Sequence, residues 1–153
     1  MFQRCVRLAC LALIAWATLS APVRAAGLDP SIATYILPQD IKWVTNAAGT
    51  NQTAVLYGDP AKPGLYVVRL KWLAGNMSRP HFHPNDRLIV VLQGTWWVGT
   101  GDQYDPDNTV PVPAGSYVTH FGNKIHYDGA KAEDVIIEVH GMGPATSTPA
   151  ERR

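Results

Sequence analysis

Residues 75–94 read GNMSRPHFHPNDRLIVVLQG. Residues 88–92 are apolar and partly β-branched and run through Gln93 into Gly94, the pattern of a strand that buries at least one face and ends in a turn. Just ahead of it, His81 and His83 stand two apart. In an extended chain residues i and i+2 project to one side, so both imidazoles can reach one ion at the roughly 2.0–2.1 Å of a zinc–nitrogen bond.

The same kind of run recurs outward in both directions, at 41–45, 52–57 and 65–73 before this stretch and at 95–100, 117–121 and 135–140 after it. From Val68 the alternation is explicit: Val68, Leu70 and Trp72 lie on one face, Arg69 and Lys71 on the other. The breaks Gly58-Asp59-Pro60, Lys62-Pro63-Gly64, Asp105-Pro106-Asp107 and Pro113-Ala114-Gly115 hold residues that fix φ or tolerate a positive one. Many short strands without a long amphipathic segment predict an all-β sandwich or barrel. Residues 26–40 read as a loose lead-in, and 144–153, with Pro144, Pro149 and small polar side chains, as a flexible tail.

The 153 residues are 46% hydrophobic and 16% charged, the balance of one ordinary folded domain. Thirteen basic against twelve acidic residues, with no Lys/Arg run in the body of the chain, argue against a nucleic-acid partner. Arg4 and Arg7 precede an apolar run at 8–19, and small residues follow up to Ala25. This is the three-part build of a signal peptide over 1–25, cleaved after Ala25, and it predicts a periplasmic or secreted protein. The run falls short of the roughly 20 apolar residues that a membrane span needs. Cys5 and Cys10, the two cysteines, would leave with it. The mature chain would then have neither a disulfide nor a thiolate ligand, and metal chemistry would fall to histidines and carboxylates.

All five histidines, His81, His83, His120, His126 and His140, lie in the second half of the chain. Gly75, His81, His83, position 87 and Gly94 stand at the spacing of the first cupin motif, with Arg87 where that motif has a glutamate. The second motif, started at Gly115, lands on Phe121, Asn123, His126 and Ala130, keeping the register, the glycine and the histidine. Asn123 replaces a turn glycine, and Asn is the non-glycine residue best suited to a left-handed turn. Over 41–143 the sequence resembles a single-domain cupin, and it looks closest to small exported bacterial cupins that carry His-x-His-Pro-Asn-Asp, here 81–86, and Gly-x-Gly-Pro, here 141–144. The resemblance implies an all-β, cupin-type double-stranded β-helix, a jelly-roll-like β-barrel. It also implies a divalent metal held by His81, His83 and His126. Iron, manganese, nickel, copper and zinc all suit three imidazoles with open positions.

Arg87 complicates that site. A divalent ion and a guanidinium about 6 Å apart repel by roughly 5 kcal/mol at an effective dielectric of 20. Either Arg87 turns away, or Asp86 or Glu138 pairs with it, or an anionic ligand bridges it to the metal, or no metal is bound. Arg87, Tyr127 and His120 are the candidate catalytic residues. Asp128 could accept from an imidazole, and Glu138 could replace the missing carboxylate, although an outward Glu138 among Val135, Ile137 and Val139 fits the alternation better. Trp96 and Trp97 point to opposite faces, so at most one lines a pocket; core or interface packing suits both.

Three functions remain open on the sequence. The first is a metal-dependent enzyme, of dioxygenase or isomerase type by resemblance. The second is a non-catalytic binder of a metal or of a small, anionic molecule. The third is a structural barrel with a vestigial site. The resemblance also implies a homodimer.

Overall fold

The computed structural model describes residues 27–152. The expected signal peptide lies outside the described residues. Residues 27–34 are an exposed stretch shaped by Asp29, whose carboxylate accepts from the Ser31 backbone N–H and hydroxyl.

From Tyr35 onward the described chain is almost wholly strand and turn. After a 3-10 turn at Pro38–Asp40, eleven strands follow: β1 (Val44–Thr45), β2 (Asn51–Tyr57), β3 (Gly64–Trp72), β4 (His81–Phe82), β5 (Arg87–Gln93), β6 (Thr95–Thr100), β7 (Val110–Pro113), β8 (Tyr117–His120), β9 (His126–Gly129), β10 (Val135–Gly143) and β11 (Thr148–Pro149). They form two antiparallel sheets, a six-stranded one in the order β1-β2-β3-β10-β5-β8 and a five-stranded one in the order β11-β4-β9-β6-β7. The all-β expectation is met.

The alternation seen in the sequence places the core. On β3, Val68 and Trp72 are buried, and on β10 Val135, Ile137 and Val139 are, with Ile89, Val91 and Trp96 completing the apolar interior. Fully burying one such aliphatic side chain is worth about 1.5–3 kcal/mol, so this cluster is what overcomes the entropy of ordering so many short strands.

Three strands, β7, β9 and β11, were not expected as such, and β4, read in the sequence as an extended His81–His83 segment, stops at Phe82. β7 contains Pro111 and Pro113, which a sequence reading takes as breakers; it survives because it is the edge of its sheet, where a missing N–H costs no ladder bond. β4, β9 and β11 are short and polar. The tail is a correction. Residues 144–152 do not fray: β11 pairs with β4 through Thr148–Phe82 and Pro149–His81. Ala145 N–H bonds Pro60 O, Ala150 N–H bonds Pro80 O, and Arg79 pairs with Glu151. Pro149 can lie here because β11, too, is an edge.

Candidate metal centre

His81 on β4 and His126 on β9 are register partners in one sheet, while Arg87 on β5 and His120 on β8 are register partners in the other. Directly opposed residues of an antiparallel pair share a face. The two pairs, with His83 beyond the end of β4, meet at one end of the space between the sheets.

Each of three imidazoles is oriented by a backbone carbonyl. His81 Nδ1 donates to Arg79 O at 2.8 Å, His83 Nδ1 to Thr146 O at 2.8 Å and His126 Nδ1 to Lys124 O at 3.0 Å. In two of the three the carbonyl lies two residues upstream, a local device of extended chain; in the third it comes from the docked tail. A neutral imidazole that donates from Nδ1 presents a lone pair at Nε2. The three Nε2 atoms converge: those of His81 and His83 are 3.2 Å apart, and suitable donor atoms of all three residues lie within 4.8 Å of one another. Donors about 2.1 Å from a shared ion and at right angles to each other would be about 3 Å apart. His126 Nε2 is buried with no partner on the described chain. Two lone pairs facing each other at this range repel unless a cation lies between them, so the donor set fits a divalent first-row ion.

Arg87 points into this site. Its Nη1 donates to His83 Nε2, and its Nε is buried without a partner. Neither acid considered above reaches it: Asp86 accepts from the Gly122 N–H at 2.7 Å, and Glu138 faces outward, bound to Arg69 at 2.8 Å and His140 at 3.0 Å. Two of the four readings of Arg87 are thereby excluded, the one that turns it away and the one that pairs it with a chain carboxylate. The Glu138 substitute for the motif carboxylate is excluded as well.

His120 is buried and joins the cavity, with its ring 3.9 Å from that of His126 and 5.2 Å from that of Trp96. Tyr127 does not join it. β9 alternates, so His126 and Asp128 face the site while Tyr127 faces the other way, its ring lying over Gly99 where a Cβ would come within 2.2 Å of it, and its hydroxyl donating to Asp105 O at 3.0 Å. Tyr127 is thus a packing residue, not a catalytic candidate. Asp128 does not accept from an imidazole. Its Oδ1 accepts from the indole N–H groups of Trp72 at 3.0 Å and Trp96 at 3.1 Å, and its Oδ2 is 4.0 Å from His126 Nε2. Trp96 is wholly buried, and Trp97 lies on the opposite face beneath Lys131. Asn123 has φ of 59°, so the left-handed turn expected of it is present; its N–H bonds His83 O at 2.7 Å and ties the β8–β9 turn to the first motif.

The cavity extends inward to about 450 Å3, with apolar walls from Val68, Leu70, Ile89 and Ile137 and with Asn51 and Thr53 as polar side chains away from the histidines. Burial holds His83 and His120 down to a pKa of about 3, with Arg87 as the second cause at His83, and burial also lowers His126. All three are neutral at pH 7 and ready to bind an ion. The unfolded chain takes up protons near 6.5 that the folded one refuses, so the metal-free protein keeps this stability above pH 6.5 and loses it as pH falls towards 3. Urea midpoints of the metal-free chain from pH 8 to 4 should fall on acidification, and His120→Phe should remove about one proton from the slope. An unchanged slope in that variant would place the charged form of His120 in water.

No protein-family model matches the chain, and no curated protein does either. Solved structures do. A polyketide cyclase from Streptomyces resistomycificus superposes with a TM-score of 0.64 at 16% identity, over 79% of this chain and 87% of its own. An uncharacterised double-stranded β-helix protein from Klebsiella pneumoniae gives 0.59 at 19%, over 78% and 100%. An RmlC-like cupin from Ralstonia eutropha gives 0.57 at 22%, over 74% and 71%. At these identities the likeness is one of architecture, and with the two-sheet topology it identifies the chain as having the cupin fold, the double-stranded β-helix.

Proposed function

We propose that this chain is an exported cupin that holds a divalent metal through His81, His83 and His126 and uses Arg87 to grip a small anionic molecule that also chelates the metal. The observation that carries this reading is the aim of Arg87, a guanidinium turned onto the metal-binding histidines with no carboxylate of the described chain to neutralise it. An anion with two donor arms satisfies both, one arm on the ion and one in the planar fork of Arg87. The metal, when bound, supplies Lewis-acid polarisation of such a ligand. The chain supplies the rest: Arg87 orients the anion, the apolar walls exclude water, and His120 offers an unprotonated nitrogen towards the cavity. With its pKa held at about 3 it is a weak base, so its part is to hydrogen-bond the ligand within the cavity. Export rests on the pattern of residues 1–25, and pairing of two copies is supported by the exposed apolar side chains Leu65, Leu88, Leu92 and Met142.

The test uses the cobalt-loaded chain, with oxalate as the probe. Oxalate should perturb the visible cobalt spectrum, and Arg87→Met should weaken its binding by about tenfold or more, the scale of a lost charge-assisted hydrogen bond. If Arg87→Met equals the wild type in metal content and oxalate affinity, the bridging role is gone.

A further inference from the structure

Both ring nitrogens of His120 are buried without a partner on the described chain, as is Nε2 of His126. The two residues are 8% and 4% exposed, and Asp128 beside them is 5% exposed. A neutral imidazole carries one N–H and one lone pair, and burying both unmet is an arrangement folded proteins keep only where an ion, a water or a ligand meets them. The donor atoms of His120, His126 and Asp128 all lie within 4.8 Å of one another. Asp128 Oδ1 is taken by two indoles, which leaves Oδ2 on the side of His126.

We propose that His120, His126 and Asp128 form a second, inner divalent-cation position of the two-imidazole, one-carboxylate class, overlapping the three-histidine position through His126. It depends on the function proposed above only in sharing His126. Charge favours it: the outer position faces the Arg87 guanidinium, whereas at the inner one the Asp128 carboxylate cancels part of the ion's charge. In effect the carboxylate that position 87 lacks is provided by β9, two residues beyond the motif histidine. Its donor set suits iron(II), manganese(II), cobalt(II) or zinc(II). His126 Nε2 has a single lone pair, so the two positions exclude each other and the chain takes one ion. Where the ion sits decides whether His120 is a ligand or a free base.

Titration of the metal-free, untagged chain with Co(II), followed by its visible spectrum, tests this. The wild type should take up one equivalent. His81→Ala/His83→Ala should still take up one, and adding Asp128→Asn or His120→Phe to it should abolish uptake. No uptake by a folded His81→Ala/His83→Ala chain, checked by circular dichroism and repeated with His81→Gln/His83→Gln, overturns the inner position and leaves the three-histidine reading standing. Uptake unchanged in that double variant but lost on His120→Phe alone supports the inner position and overturns the outer one. Two equivalents in the wild type would overturn the sharing of His126.

Discussion

Arg87→Glu is expected to tighten binding of a divalent metal at the three histidines by at least 100-fold and to eliminate oxalate binding. The substitution exchanges a repulsion of roughly 5 kcal/mol for an attraction of similar size, taking 6 Å and a dielectric of 20. Burying the new carboxylate in the metal-free chain opposes part of this, yet about a quarter of the roughly 10 kcal/mol difference already amounts to 100-fold. The guanidinium also ceases to compete for His83 Nε2, the lone pair it occupies in the metal-free chain. Arg87→Met should fall between the two, since it removes competition and repulsion without adding a ligand. Competition against a chromophoric zinc chelator reads all three affinities. An Arg87→Glu chain within about threefold of the wild type would mean that electrostatics at position 87 does not govern this site. Loss of oxalate binding in that variant is a separate result, because a second carboxylate beside the ion repels the probe whatever the metal affinity becomes.

The fold was readable because its core strands announce themselves. Val68, Leu70 and Trp72 alternate with Arg69 and Lys71, and 135–140 alternates in the same way, so burial on one face fixes both conformation and register. The strands that carry the site were harder to see. β9 holds His126, Tyr127, Asp128 and Gly129, of which only Tyr127 favours a strand, and it is a strand because β4 and β6 flank it. Its alternation is what sends Tyr127 away from the cavity and Asp128 into it, and nothing local in the sequence says which parity faces inward. His120 was placed in a strand, but its opposition to Arg87 depends on how β8 registers against β5, a tertiary fact. The tail misled for a similar reason. Pro144, Pro149 and small side chains are compatible with fraying, yet the exposed edge of β4 and the Nδ1–H of His83 offer it partners, and β11 and Thr146 O take them. By contrast, the His81/His83 pair and the Asn123 turn were legible from spacing, because they depend on short-range geometry, whereas His126 joined them only through the resemblance to the second motif, its place opposite His81 being set by how β9 registers against β4.

Asp128→Ala is expected to destabilise the metal-free chain by about 3 kcal/mol, equivalent to about 10 °C in Tm for a domain of this size. The carboxylate joins three strands: β9, which carries it, β3 through Trp72 and β6 through Trp96, and β3 belongs to the other sheet. Its removal leaves two buried indole N–H groups unmet, each worth about 1–3 kcal/mol, and opens a space between the sheets. Relief of the buried charge offsets a part of this. Asp128→Asn keeps an oxygen for the indoles and should lose less than half as much, which separates the hydrogen bonds from the charge. Urea denaturation of both variants beside Trp96→Phe closes the comparison, since Asp128→Ala should cost less when one of its donors is already gone. If Asp128→Ala stays within about 1 kcal/mol of the wild type, the indoles are met by water and the carboxylate is not structural. If it costs what is expected, one side chain both braces the cavity walls and presents its second oxygen to His126. Any ion drawn to that oxygen is then held on a group that packing has already fixed, which is the condition for a preorganised site.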